Sequence, residues 1–264
     1  MDSLIYSGDV AVRATATTYL ERRIEVNRAF SSADLDQWLF ERLAVKPGEH
    51  ILDVGCGSGK QAIPFADMVG SQGSVSAIDI STESIALLKS RLTAGLRVEA
   101  VAADMADLTR VVADVLSVKR YSLTHSSYAL YYSPMRLRVL DGMRAVLIPG
   151  GRCAIFTPDR PHGLVELAAR FGDVPSAVNE SLQFGPEVLR PYFERHFRAV
   201  TVHRFHNIVT IPSPDILVDF YRQTTYYNAG IELQIWAVAD EEIRQKGSFQ
   251  YEKNGYLIIG FVDE

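Results

Sequence analysis

The sequence predicts an α/β protein, a doubly wound and mostly parallel seven-stranded sheet beneath a helical cap, and three observations predict it. Short apolar runs recur at Ile51–Val54, Ser74–Ile80, Val98–Ala103, Tyr121–Ser126 and Arg152–Thr157, with helix-length segments between them. Strands that are buried on both faces of a parallel sheet read in this way. The first run passes straight into glycines at alternate positions, Gly55, Gly57 and Gly59, and then into a helix. Finally, 264 residues with 47% hydrophobic and 22% charged side chains suffice for one large core plus a modest appendage.

Taken in order, the first thirty residues read as a loop and then a helix from about Val12 to Phe30, with Val12, Ala16, Tyr19, Leu20 and Ile24 on one stripe. Ser31 is a candidate cap for a second helix carrying Leu35, Trp38, Leu39 and Leu43, and Pro47-Gly48 ends it. The helix after Gly59 contains Pro64, an expected kink. Ser81 is placed to cap the helix after the second strand. Helices are expected over Leu108–Val118 and Pro134–Leu147, the latter closed by Pro149-Gly150-Gly151. Beyond Thr157 the rhythm changes. Helix-like segments at Leu164–Phe171, Pro186–Phe197 and Pro214–Tyr227 surround a strand at Ala199–Ile211, and Asn254-Gly255 reads as a tight turn before a closing strand, Tyr256–Val262. This divides the chain into N-terminal helices over residues 1–45, which contribute to the cap, and an α/β domain over 46–264, with the rest of the cap inserted at about 158–198 and 212–247.

The glycine loop, Asp53-Val54-Gly55-Cys56-Gly57-Ser58-Gly59-Lys60, sits at the carboxyl end of the first strand, where open parallel sheets bind ligands. It is not a P-loop, which would need glycine at Val54 and Ser or Thr at Gln61. Lys60 stands where a dinucleotide fingerprint wants Gly or Ala, which disfavours a nicotinamide-dependent oxidoreductase. An isolated glycine cluster is also compatible with a tight turn that binds nothing. Two acids remove the isolation. Asp79 ends the second strand 20 residues beyond Gly59, the position from which an acid grips ribose hydroxyls, and Asp104 ends the third strand. Either alone is more often a helix cap. Together with the glycines they place three polar features on neighbouring strand ends.

On these residues the chain resembles the class I S-adenosylmethionine (SAM)-dependent methyltransferases. The matching pieces are Asp53-Val54-Gly55-Cys56-Gly57-Ser58-Gly59, Ala77-Ile78-Asp79-Ile80, Ala103-Asp104-Met105 and Leu147-Ile148-Pro149-Gly150-Gly151, in order over about residues 35 to 157. The resemblance implies a Rossmann-like methyltransferase fold that binds SAM and releases S-adenosylhomocysteine. It implies that Gly55, Gly57 and Gly59 lie against the methionine and ribose, that Asp53 orients the loop, and that Asp79 binds the ribose. Asp104 and the Met105 backbone would meet the adenine edge, Ile80 its face, and Ser126 joins the cofactor-binding set. The fourth strand departs from the family, with Ser122 where an acid is common, and no Asn-Pro-Pro-Tyr-like segment of the DNA amino-methyltransferases is present.

Methyl transfer from a sulfonium needs an aligned nucleophile and, for a hydroxyl or acidic carbon, a base of near-neutral pKa. His125, near the end of the fourth strand, is the candidate base; a structural histidine is the competing reading. Tyr128, Tyr131 and His162 are candidates for contacts to the acceptor, and Tyr6, Tyr19, Phe184, Tyr226 and Tyr227 for the cap. His203 and His206, three apart on an expected strand, point to opposite faces, so no metal is expected. A net charge of −5 and a pI near 5.7 argue against nucleic acid and favour a small-molecule acceptor. No apolar run has spanning length, no secretory pattern opens the chain, and Cys56 and Cys153 form no framework, so a cytoplasmic protein off the membrane is expected. A catalytically silent SAM-binding protein would need the same donor residues.

Overall fold

The computed structural model describes residues 8–263, so the Tyr6 expectation lies outside the described residues. The strands are β1 (His50–Val54), β2 (Ser74–Asp79), β3 (Val98–Ala102), β4 (Tyr121–Ser127), β5 (Leu147–His162), β6 (Arg198–Phe205), β7 (Ile208–Ile211) and β8 (Phe249–Phe261). The helices are α1 (Gly8–Thr15), α2 (Thr17–Phe30), α3 (Leu35–Leu43), α4 (Ala62–Val69), α5 (Thr82–Arg91), α6 (Leu108–Asp114), α7 (Arg136–Ala145), α8 (Gly163–Ala169), α9 (Ser176–Gln183), α10 (Arg190–His196), α11 (Pro214–Arg222) and α12 (Glu232–Lys246).

The sheet runs β3-β2-β1-β4-β5-β8-β6, with β1 to β5 parallel and β8 antiparallel between β5 and β6. The chain order reverses at β1, so the carboxyl ends of β1 and β4 flank the switch point at which such sheets bind ligands. One sheet face packs Leu52, Val54, Tyr121 and Ile155 against α6, α7 and α10. The other packs Ile51, Val75, Leu123 and Ala154 against α3, α4 and α5. A third core, under the cap, joins α8, α9, α11 and α12 to β7 and the start of β8. β8 ties these together: Phe249 and Tyr251 belong to the cap core, and Tyr256 to Ile259 alternate between the two faces of the sheet.

Several expectations are corrected. The sheet has eight strands rather than seven, because the segment expected as one strand divides at His206-Asn207. There the Asn207 amide donates to Ser31 Oγ at 3.1 Å and its carbonyl takes the Lys253 N–H at 2.9 Å, which diverts the chain onto the far end of β8. Asn254-Gly255 is no turn but the middle of β8, paired with Asp159 and Pro158 of β5. Glycine is needed at 255 because a Cβ there would lie 2.0 Å from the Phe156 ring. Ser31 does not cap α3; Asp34 does, its carboxylate accepting from the N–H groups of Asp36 and Gln37 at 2.8 and 3.0 Å. The first helix breaks at Ala16, whose backbone is extended. Pro64 causes no kink: it lies in the first turn of α4, where no intrahelical N–H is required. α9 and α12 escaped the sequence reading, and α12 buries only Ile235 and Ala239, too narrow a stripe to register. Phe184, Leu189, Phe193 and Phe197 lie in the sheet core rather than in the cap.

Candidate active site

The site is built at the carboxyl edge of β1, β2, β3 and β4. Past Val54 the chain folds back on β2, with Gly55 and Cys56 both donating to the Ile78 carbonyl at 2.8 and 3.0 Å. Gly55 and Gly57 have φ of +74° and +52°, backbone that side chains rarely adopt. A Cβ on Gly55 would lie 2.2 Å from that of Ala129, and one on Gly57 would lie 2.8 Å from Leu20 of α2.

Asp79 anchors this loop. Its Oδ2 accepts the Gly57 N–H at 2.7 Å and its Oδ1 the Ser81 N–H at 2.8 Å. Burial raises its pKa, and the two backbone donors work against that rise. Asp104 caps the turn after β3 by accepting from Ala106 N–H at 2.9 Å. Ile80 stands at the rim, 39% exposed. The Met105 methyl lies beside Gly55, 3.5 Å from where a Cβ would sit. Ser126 is fully buried, and the hydroxyls of Ser126 and Ser127 have no hydrogen-bond partner. A loop of closely approached glycines, two carboxylates and two orphaned hydroxyls on one edge suit a ligand with hydroxyl, amine and carboxylate groups, as SAM has.

His125 is the candidate base of the sequence reading. It is 0% exposed, and its Nδ1 lies 2.9 Å from Oδ1 of Asp53, which is its register partner on β1. Phe65 stands edge-on to its ring, centroids 5.1 Å apart. The burial and the Asp53 bond favour the structural reading of His125, while its Nε2 has no hydrogen-bond partner.

Tyr128 leaves β4 with φ of +53° and packs edge-on to Phe156 at 5.0 Å. Burial raises its hydroxyl's pKa, with Tyr132 adding to the shift. Tyr131 is buried near Phe184. His162, at the end of β5, is buried edge-on to Tyr226 with Nδ1 unpartnered, and burial, with Lys253 beside it, pulls its pKa down to about 3. His203 is half-buried on β6 and His206 exposed beyond it. The described residues hold no cluster of three or more metal-ligating side chains. None of their helices is long and apolar enough to cross a membrane.

Sequence reasoning assigned the N-terminal helices to the cap but missed the contacts by which α2 lies across the glycine loop. Thr17 Oγ1 is 2.9 Å from Ser84 Oγ, and Leu20 covers Gly57. Glu21 accepts from Ser58 Oγ and from Arg91, both at 2.5 Å. Burial raises the Glu21 pKa, but the bonds from Arg91 and Ser58 outweigh it and hold the group below the ordinary carboxylate range. No local pattern announces these contacts, because Glu21 and Ser58 meet only once the helix has docked.

The profile of a family described as Methyltransferase domain matches residues 45–209. Aklanonic acid methyltransferase DauC of Streptomyces sp. (strain C5) is 31% identical over 150 residues, covering 54% of this chain and 64% of that protein. A 2-phytyl-1,4-naphtoquinone methyltransferase of Synechococcus elongatus is 32% identical over 132 residues, covering 47% of this chain and 54% of that protein. The chain thus matches between half and two thirds of these relatives' own length. Among solved structures, a Bacillus halodurans C-125 protein superposes with a TM-score of 0.62 at 15% identity, over 88% of this chain and 100% of its own. That likeness is one of fold.

Proposed function

The chain belongs to the class I, SAM-dependent methyltransferase domain family, and on that premise we propose that it transfers a methyl group from SAM to an oxygen, nitrogen or carbon of a small molecule. The observation that carries the reading is the Asp79 carboxylate bonded to the Gly57 N–H at 2.7 Å, which locks the glycine loop to the ribose-side acid. Gly55, Gly57 and Gly59 line the donor's amino-acid and ribose parts. Asp79 holds the ribose with the lone pairs its backbone bonds leave free. Asp104, Met105 and Ile80 receive the adenine, and Ser126 lies beneath. SAM supplies a methyl already activated on a sulfonium, so the residues around it have to orient the acceptor and keep water out.

The names of the two relatives above specify aklanonic acid and a phytyl-naphtoquinone as acceptors, and the acidic net charge of −5 supports a small acceptor over a nucleic acid. α1 and α2, with residues 163–183 and 212–247, form the cap over the donor edge, and Tyr128, Tyr131 and His162 line the acceptor side. The reaction is metal-free and cytoplasmic. Activity abolished by chelation and restored by a divalent ion would overturn the first of these.

Calorimetric titration with SAM and with NAD tests the donor assignment. SAM binds and NAD does not, and Asp79→Ala and Asp104→Ala each weaken SAM binding by about tenfold or more, a loss of ~1.4 kcal/mol, while the far-UV spectrum stays folded. Wild-type SAM affinity in both variants, or tight NAD binding without SAM binding, refutes it. A screen of metabolite extracts with methyl-labelled SAM then reads the acceptor from the compound that gains label.

A further inference from the structure

Where β5 ends and β8 begins, above the carboxyl edge of the sheet, positive and polar groups gather; the Glu166 carboxylate of α8 accepts the His162 backbone N–H at 3.3 Å. His162 and Lys253 are register partners across the two strands, and Tyr251 shares the Lys253 face of β8. Nδ1 of His162 and the hydroxyl of Tyr251 are buried without a hydrogen-bond partner, in side chains 7% and 5% exposed. The Lys253 ammonium donates to Asn27 Oδ1 of α2 at 2.8 Å and stands 5.4 Å from the centre of the Phe220 ring of α11. Among the described residues Arg23, one turn earlier on α2, donates only to the carbonyls of Arg13 and Gln223, each at 2.8 Å.

Among the described residues neither Lys253 nor Arg23 joins an ion pair. Asp36, which comes from α3, is already taken by Lys60 at 2.8 Å. The charged groups acting on Lys253 are Arg23 from α2 and Lys60 from the glycine loop, and Lys253 in turn acts on His162 from β5; burial first, then the Arg23 and Lys60 charges, pull its pKa down to about 7. A partly buried lysine surrounded by like charges marks a region of uncompensated positive potential. Its walls are aromatic: Phe220 lies under Lys253, and Tyr226 stands edge-on to His162, centroids 6.2 Å apart. Lys60 closes the glycine loop, so this region adjoins the donor edge.

We propose that Lys253, Arg23 and His162 form an oxyanion-binding subsite for the methyl acceptor, and that the acceptor is an aromatic molecule carrying a phenolate or a carboxylate. Such an anion supplies a counter-charge to Lys253 and Arg23, which join no ion pair among the described residues, and gives the unpartnered Nδ1 of His162 a partner. Lys253 acts here as a binding and positioning group. The inference rests on the methyl-transfer reading above.

The test uses the full chain with S-adenosylhomocysteine present and two probes, 4-nitrophenolate and 4-nitrobenzoate, titrated near neutral pH by absorbance and calorimetry. Wild type binds at least one probe; Lys253→Gln weakens it by about tenfold or more, equivalent to ~1.4 kcal/mol, and Lys253→Arg, which keeps the charge, retains it. SAM affinity is the same in all three proteins. Preference for the phenolate or for the carboxylate supports the subsite and assigns its headgroup. Equal probe affinity in wild type and Lys253→Gln, or no probe binding by a wild type that holds SAM, overturns the subsite while leaving the donor reading intact. A wild type that fails to bind SAM overturns the donor reading itself, and the subsite with it.

Discussion

Replacing His125 by alanine separates a structural histidine from a catalytic one. The side chain is 0% exposed and its partner Asp53 is 2% exposed. Among the described residues the 2.9 Å bond between Nδ1 and Oδ1 is the one hydrogen bond made by either side chain. Removing the imidazole leaves the buried Asp53 side chain without its partner and opens a space against Phe65, and orphaning a buried polar group costs about 1–3 kcal/mol. In a domain of this size each kcal/mol moves the melting midpoint by roughly 2–4 °C, so a fall of at least about 2 °C is expected, with a matching loss in urea titration followed by circular dichroism. Asp53→Asn preserves shape and a hydrogen-bond acceptor, and its cost stays below ~1.5 kcal/mol, the worth of an ordinary hydrogen bond. An alanine variant as stable as wild type that binds SAM normally but no longer transfers methyl would refute the structural reading and return His125 to proton transfer.

Two further substitutions probe the frame around the site. Gly255→Ala drives a methyl into a Phe156 ring that Trp38, Tyr128 and Phe205 hold edge-on at 6.0, 5.0 and 6.3 Å; the overpacking costs about 1–3 kcal/mol, and a urea midpoint unchanged from wild type would disprove the close approach. Arg152→Ala removes a paired contact to Glu49 at 2.6 and 2.8 Å and a bond to the Leu43 carbonyl at 3.1 Å, at a cost of about 2–4 kcal/mol near neutral pH. Burial raises the Glu49 pKa, but the bonds from Arg152 and the Lys46 N–H outweigh it and hold the carboxyl below its ordinary value. A depressed carboxylate contributes its stability above the unfolded pKa and loses it as pH falls through the folded one. The gap between wild type and variant is therefore full near neutrality and closes in acid; a gap that widens on acidification counts against the pairing.

The glycine-and-acid edge was readable because its elements are local. Gly55 to Gly59, Asp79 and Asp104 each stand at the end of an apolar run, and a parallel sheet brings consecutive strand ends to one edge without further information. The acceptor side was not readable in this way. Asn254-Gly255 is a turn signature by composition, yet pairing with β5 on one side and β6 on the other overrides it. Asp34 rather than Ser31 caps α3 because Ser31 is drawn into a bridge with Val209, a residue 178 positions away. The burial of His125 shows the same limit: a position near a strand's end gives nearness to the donor edge, and only the docking of Phe65 and Asp53 decides on which side of the sheet surface the ring lies.

By itself the sequence determined the sheet, its parallel core and the glycine-and-acid edge, since hydrophobic periodicity and turn chemistry act over a few residues. The tertiary structure alone decided which side chains meet over that edge. It laid Leu20 and Glu21 over the glycine loop, buried His125 against Asp53, and brought Lys253 into line with His162 across β8 and β5. Those contacts join segments far apart in the chain. Their energies arise from burial and uncompensated charge, which exist only after the elements have packed.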